Sequence, residues 1–352
     1  MSRSPDRSGP FRSRWGVVAA ALAVLAASCS GGASSSPPSA SVPVPSAAMV
    51  APAPSTTGAA PTSSATAGVP APPTTDGRAM ASPPGPTGDP IVDRPFEVFV
   101  PTTYTPSVPL PLVLLLHGIG TSSARMESIV GLQPVAEERG FLYVHPDGTL
   151  DAAGDPFWNA TDGCCNASDA PVDDSAYLEA VIERVQTTYN VDPRRIYIVG
   201  VSNGGFMAYR MACDHADTIA GIVSVAGATF LDATRCGPSG PVSVLQVHGT
   251  ADQIVPYDGG ELIPGHPFPS AATTVADWAA YNGCGPDRTP TGLRVDLDGA
   301  LPGDETVVSR FDGCPTGGAV ELWTMEGADH FIRFTPAFTS SLVDFLFAHP
   351  KP

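Results

Sequence analysis

A serine, an aspartate and a histidine each stand in a loop that follows a short apolar run. After the run 196–199 comes Gly200-Val201-Ser202-Asn203-Gly204, and then an amphipathic stretch over 203–214. A serine hydroxyl is a poor nucleophile at neutral pH unless a base removes its proton, and GxSxG between a strand and a helix is a turn that lifts such a hydroxyl over a helix N-terminus. Ser202 is the candidate nucleophile. Its base must be a histidine, and that histidine needs a carboxylate to fix its tautomer and stabilise the imidazolium. Asp252, in His248-Gly249-Thr250-Ala251-Asp252 after the run 242–247, and His330, in Glu326-Gly327-Ala328-Asp329-His330 after the run 320–325, follow in the order Ser, Asp, His. Asp329 is too close in sequence to fold back onto the neighbouring ring, and Asp258 lies further from its strand end, so Asp252 is preferred as the acid. Such a set performs nucleophilic acyl transfer.

The oxyanion formed by attack on an ester needs two backbone N–H donors, one of them from the residue after the nucleophile. Asn203 supplies that one. The run 112–116 ends in His117-Gly118-Ile119-Gly120, and Ile119 is expected to supply the other. His117 then braces the loop, because no His or carboxylate partners stand at metal-ligand spacing from it. No metal and no cofactor are expected.

The runs that carry these residues are short and rich in Val, Ile and Leu, as buried parallel strands are. They lie at 96–100, 112–116, 141–145, 196–199, 222–226, 242–247 and 320–325, with helical patterns at 174–188, 203–214, 271–282 and 336–348. Alternation of strand and helix predicts an α/β architecture, a mostly parallel central sheet with helices on both faces and its ligands at the carboxyl ends of strands. Residues 90–352 are expected to form one such catalytic domain.

The first 89 residues differ in kind. Arg3, Arg7, Arg12 and Arg14 precede an apolar run over 15–27 that ends at Ser28 and Cys29, the order of an export signal and too short to span a bilayer. Residues 25–29 resemble a bacterial lipobox, which makes Cys29 a candidate lipidation site; an ordinary cleaved secretion signal over 1–28 is the alternative. Either predicts an exported protein, extracellular or in the cell envelope, whose membrane contact is confined to a lipid anchor. From residue 30 to 89, 51 of 60 residues are Pro, Ser, Thr, Ala or Gly, too little apolar surface to offset the cost of ordering, so 29–89 reads as an extended spacer.

The whole chain carries 18 basic and 35 acidic residues, a formal net charge of -17, which argues against nucleic acid as a partner. Its single lysine, Lys351, stands at the tail, so lysine-based Schiff-base chemistry is not expected.

With the triad candidates in hand, the chain resembles the secreted α/β-hydrolase esterases that include feruloyl and acetylxylan esterases and polyhydroxybutyrate depolymerases. The resemblance covers nearly all of 94–350. It rests also on Pro146-Asp147-Gly148-Thr149, on Phe157-Trp158-Asn159-Ala160-Thr161 followed by Cys164 and Cys165, on Val172-Asp173-Asp174, and on the segment from His248 to Tyr257. It implies a Ser202-Asp252-His330 triad acting on small-molecule or polysaccharide-linked esters, with Trp158, Tyr257 and Phe331 as candidate substrate contacts. Family members often carry Trp and Pro after the histidine where this chain has Phe331 and Ile332, so that wall of the pocket differs. Depolymerisation of polyhydroxybutyrate by the same residues is the rival reading; such enzymes commonly carry a separate polymer-binding module, and with only a short segment after the last helical pattern soluble esters are the expected substrates. A non-catalytic surface lipoprotein on the same fold is a rival of another class. Oligomeric state is not legible.

Apart from Cys29 there are six cysteines, an even number in a chain expected to be exported, which predicts disulfides rather than zinc. Cys284 and Cys314 flank what reads as an irregular insertion and are expected to pair; Cys164 and Cys165 are expected to reach Cys213 and Cys236, in either order.

Overall fold

The computed structural model describes residues 88–352; the expected export signal, Cys29 and the spacer up to residue 87 lie outside the described residues. Along the chain run α1 (Pro90–Asp93), β1 (Val98–Phe99), β2 (Leu110–Leu116), α2 (Ser123–Val130), α3 (Leu132–Arg139), β3 (Leu142–Val144), β4 (Thr149–Leu150), β5 (Pro156–Phe157), α4 (Asp174–Thr188), β6 (Val191–Val201) and α5 (Asn203–Asp214). Then follow β7 (Gly221–Val225), a 3-10 turn (Ala233–Arg235), β8 (Ser243–Gly249), β9 (Gly260–Ile263), β10 (His266–Phe268), α6 (Ala271–Asn282), β11 (Arg288–Val295), β12 (Thr306–Phe311), β13 (Val320–Met325) and α7 (Pro336–Ala348).

Nine strands form one sheet in the order β1-β3-β2-β6-β7-β8-β13-β12-β11. The run from β3 to β13 is parallel throughout, and β1, β12 and β11 close the edges in antiparallel fashion. This is the α/β-hydrolase fold. A strand covered on both faces has no polar side, which is why 112–116 is uninterrupted Leu and Val. Leu112, Leu114 and Leu116 pack with Leu178 and Ile182 of α4, Met207 of α5 and Val275 of α6. Val113 and Leu115 face the other way, toward Met126 of α2, Leu132 of α3 and Leu342 of α7. The core is therefore two layers with the sheet between them.

The helical patterns at 174–188, 203–214, 271–282 and 336–348 match α4, α5, α6 and α7. Three of these are capped by side chains legible in the sequence: Asp173, Ser270 and Thr335 accept from the first-turn N–H groups of Ala176, Thr273 and Phe338. One expectation is corrected. The insertion between Cys284 and Cys314 is not irregular, because β11 and β12 form an antiparallel pair that extends the sheet. Its strands escaped notice because β11 is exposed at every residue but the last, so it has no apolar alternation, and because Pro290 and a register shift before Arg294 break the pattern. Both features belong to an edge strand that must not recruit a further one.

The cysteine expectations divide. Cys284 pairs with Cys314, closing the hairpin at its base. The expectation that Cys164 and Cys165 reach Cys213 and Cys236 is overturned, since Cys213 bonds Cys236 and Cys164 bonds its neighbour Cys165. The last turn of α5 and the chain leaving the 3-10 turn bring the Cα atoms of Cys213 and Cys236 to 5.2 Å, within the reach of a disulfide. The two adjacent cysteines are left for one another. Replacing Cys284 and Cys314 together by serine releases a link across 30 residues and is expected to cost about 3–4 kcal/mol, read as a lower midpoint in guanidinium unfolding.

Candidate active site

Ser202 stands between β6 and α5 with φ 55° and ψ -119°, a left-handed backbone that a serine adopts only under constraint. The constraint is visible in its glycines. A Cβ on Gly200 would lie 2.0 Å from the Gly204 carbonyl oxygen, and one on Gly204 would lie 2.2 Å from the Leu116 oxygen. No larger residue permits this approach of turn to strand. The Ser202 N–H donates to the Val225 carbonyl at 2.7 Å, which anchors the turn to β7.

The strand-end loops bring the three candidates together. His330 Nε2 lies 3.1 Å from Ser202 Oγ, and His330 Nδ1 lies 2.7 Å from Asp252 Oδ2. Asp252 is 3% exposed, and its other oxygen accepts from the N–H groups of Ile254 and Val255 at 2.9 and 2.8 Å. Burial alone would raise its carboxyl. The His248 and His330 N–H groups, the charge of His330 and the Val255 N–H outweigh that and hold it well below the usual carboxylate range. Asp329, by contrast, accepts from the Phe331 N–H and does not serve the imidazole.

The donors expected for an oxyanion lie on either side of Ser202. The loop from His117 to Gly120 crosses above it so closely that a Cβ on Gly118 would lie 3.4 Å from Ser202 Cβ. Among the described residues the N–H groups of Ile119 and Asn203 have no hydrogen-bond partner. Both are left available to a ligand.

The segments singled out by resemblance frame these two donors. Trp158 is buried; its indole N–H donates to the His117 carbonyl at 3.0 Å, and its backbone exchanges hydrogen bonds with the Asn203 side chain at 2.7 and 3.0 Å. One residue thus ties the Ile119 loop to the Asn203 turn. His117 Nε2 accepts from the Gly148 N–H at 2.8 Å, and its Nδ1 faces the Gly118 carbonyl at 2.7 Å. Burial lowers its pKa, in keeping with a neutral bracing ring. Asp174, wholly buried, accepts from Arg94, Thr149 and the Asn159 N–H and so fastens α4 to the same frame.

Two expected substrate contacts are corrected. Trp158 has no exposed surface and stands behind the site. Tyr257 is half-buried, its hydroxyl bonded to Thr324 at 2.9 Å and its ring set against His248, and it does not line the cavity that holds Ser202. Phe331 does line it. The cavity has a volume of about 560 Å³ and contains Ser202 and His330. Its walls include Ile119, Met126, Ile129, Ile254, Phe331 and Phe334. Ile119, Ile129, Ile254 and Phe331 are each 40% exposed or more, and Phe331 is 79% exposed. Met126, Ile129 and Ile254 were not anticipated, since an apolar residue in a helix or loop carries no mark that distinguishes a wall from a core.

Among the described residues no group of His, Cys, Asp and Glu could hold a metal ion, and no helix is long and apolar enough to cross a membrane.

Known proteins are similar to this chain in sequence. Residues 106–270 match the phospholipase/carboxylesterase family. Feruloyl esterase B of Piromyces equi is 29% identical over 246 residues, 67% of this chain and 42% of that enzyme. Feruloyl esterase C of Emericella nidulans is 26% identical over 230 residues, 64% of this chain and 72% of that enzyme. The bifunctional acetylxylan esterase/xylanase XynS20E of Neocallimastix patriciarum is 27% identical over 164 residues, 47% of this chain and 22% of that enzyme. The chain thus spans less than half the length of the Piromyces and Neocallimastix proteins. In sequence the chain is similar to α/β-hydrolase esterases of the feruloyl and acetylxylan type, the group that its motifs resemble.

Proposed function

We propose that the protein is an exported serine carboxylic-ester hydrolase acting on feruloyl- or acetyl-type esters of polysaccharides or on other small soluble esters. The observation that carries this is the hydrogen-bonded series Ser202, His330, Asp252, whose first two members line an apolar cavity. In the proposed reaction His330 Nε2 takes the Ser202 proton as Oγ attacks the ester carbonyl carbon. The oxygen of the tetrahedral adduct is held by the Ile119 and Asn203 N–H groups. His330 then passes its proton to the departing alcohol, leaving an acyl-serine. Water, deprotonated by the same ring, attacks that acyl group, and collapse returns the proton to Ser202 and releases the acid. Asp252 stabilises the imidazolium in both halves.

Relatives acting on feruloyl esters and an apolar cleft favour an aromatic or short aliphatic acyl group over a charged one. The test is incubation of the purified protein with a fluorophosphonate, followed by intact-mass and peptide mass measurement, beside initial rates on p-nitrophenyl acetate, p-nitrophenyl butyrate and methyl ferulate. A single adduct on Ser202 with turnover of at least one ester is expected. Absence of both adduct and turnover in the folded protein would sink the reading and leave a non-catalytic binding module on this fold.

The exposed apolar rim of Ile119, Ile254 and Phe331 favours a second reading, depolymerisation of polyhydroxybutyrate, because such a rim could lie on a polyester surface. Release of 3-hydroxybutyrate from a film faster than ferulate from methyl ferulate would select it. In either case Phe331→Ala is expected to raise KM for methyl ferulate about ten-fold with little change for p-nitrophenyl acetate. At 79% exposure the residue contributes little to stability, so an unchanged Tm serves as the control.

Export, Cys29 as a lipid anchor and the role of 29–89 as a spacer are parts of the same proposal. The disulfides of the folded domain suit an oxidising compartment. Metabolic labelling with palmitate, compared between the full chain and Cys29→Ala, decides the anchor.

A further inference from the structure

Behind Asp252 lies a buried histidine that the proposed reaction does not use. His248, on β8, is 1% exposed. Its Nε2 is 2.8 Å from the Val255 carbonyl oxygen and 3.6 Å from Asp252 Oδ2, and its Nδ1 is 3.1 Å from Gln246 Nε2. Gln246 Nε2 is also 2.8 Å from the Gly227 carbonyl, while Gln246 Oε1 accepts from the Tyr209 hydroxyl at 2.8 Å.

The protons of this series follow from its two ends. The Gly227 oxygen can only accept, so the Gln246 amide group must face it with N–H, and its second N–H must point to His248 Nδ1. Nδ1 is then an acceptor and carries no proton. The Val255 oxygen likewise only accepts, so Nε2 carries the proton. His248 is held neutral, in a single tautomer, by a glutamine that cannot turn over.

We propose that His248 is a positioning residue, kept neutral by Gln246 so that Asp252 spends its full negative charge on His330. This rests on the triad reading above. A neutral ring offers Asp252 the positive end of an N–H dipole and helps hold the carboxylate in place. An imidazolium there would form an ion pair with Asp252 and compete with His330 for it. The groups that face His248 leave no other source of charge. Tyr257 presents its ring edge to face at 5.6 Å, Tyr209 acts through Gln246, and among the described residues no arginine or lysine is ion-paired with Asp252.

The experiment is the pH profile of kcat/KM for p-nitrophenyl butyrate, measured on the full chain and on three variants. Its acid limb reports protonation of His330. His248→Leu removes the dipole from Asp252, so the His330 imidazolium is favoured. The limb is expected to move up by about half to one pH unit, with kcat falling roughly ten-fold. His248→Gln, whose amide can still donate to Val255, is expected to restore the limb to the parent's position. Gln246→Glu faces Nδ1 with a carboxylate and draws a proton onto it; the positive ring stands between that carboxylate and Asp252, so the nearer charge dominates and moves the limb the other way, to lower pH. A merely structural role would lower the folded fraction or kcat and leave the limb where it was. An unmoved limb in both His248→Leu and Gln246→Glu overturns the proposal; if the leucine variant does not fold, the glutamate variant decides alone. Failure of the triad reading is separate, since it would appear as an inactive parent or an active Ser202→Ala protein.

Discussion

Ser202→Ala is expected to lower kcat on p-nitrophenyl butyrate by about six orders of magnitude while the protein stays folded. The size of the effect follows from the site. Among the described residues the hydroxyl hydrogen-bonded to His330 Nε2 is that of Ser202, with Oγ at 3.1 Å. The fold is expected to survive because alanine meets the same left-handed backbone strain as serine, and the anchoring bond to Val225 is made by the main chain. The measurement is kcat beside Tm and near-ultraviolet circular dichroism. Retention of more than about one part in a thousand of the parent rate, beyond what oxyanion donors and binding supply by themselves, would remove Ser202 from the nucleophile's role.

Asp252→Asn is expected to cost about 10⁴ in kcat at neutral pH, and the reason is a tautomer. In the parent one carboxylate oxygen accepts from Ile254 and Val255, and the other faces His330 Nδ1 at 2.7 Å. Asparagine must keep its oxygen toward the two backbone N–H groups, which turns its amide N–H toward Nδ1. Nδ1 then becomes an acceptor, the ring proton moves to Nε2, and the nitrogen that should receive the Ser202 proton is already occupied. A loss below ten-fold would mean that Asp252 does not orient the base.

The same substitution has a signature in stability. Because the Asp252 carboxyl is held below its ordinary range in the folded protein, the folded state binds fewer protons than the unfolded one over the acid range. Its contribution is fully present above about pH 4, the unfolded value, and is lost as pH falls below it. Asp252→Asn lacks this part of the acid dependence. Parent and variant should therefore converge in stability as the pH is lowered from about 4, which denaturant titrations across that range would read.

The residues able to do the chemistry could be found in the sequence because each obeys a local rule. Ser202 must have Gly200 and Gly204 around it, since any side chain there collides with backbone at 2.0–2.2 Å. Asp252 and His330 follow apolar runs that could only be covered strands. The four long helices could be delimited because their apolar faces, and in three of them their side-chain caps, are local too. By contrast, β11 gave no signal, because an exposed edge strand owes its existence to β12 and not to its own pattern.

Trp158 shows the limit of reading by resemblance. Its position near the site was legible, but whether its ring faces the ligand or the core depends on residues 41 and 45 positions away in the chain, His117 and Asn203, to which it is bonded. The cysteines teach the same lesson. Cys284 and Cys314 could be matched because they flank one insertion, whereas Cys213 and Cys236, though only 23 residues apart, meet because of how α5 ends against the chain after β7.

What the sequence determined by itself was therefore the fold class, the order of strand and helix, and the three side chains that the strand ends bring together, all of which rest on periodicity and on steric rules that act over a few residues. What only the tertiary structure decided was which apolar residues wall the cavity, which aromatic residues stand behind it, how four cysteines pair, and that a buried histidine lies behind the aspartate. These depend on contacts between segments far apart in the chain, and the free energy of such contacts exists only once the sheet has assembled them.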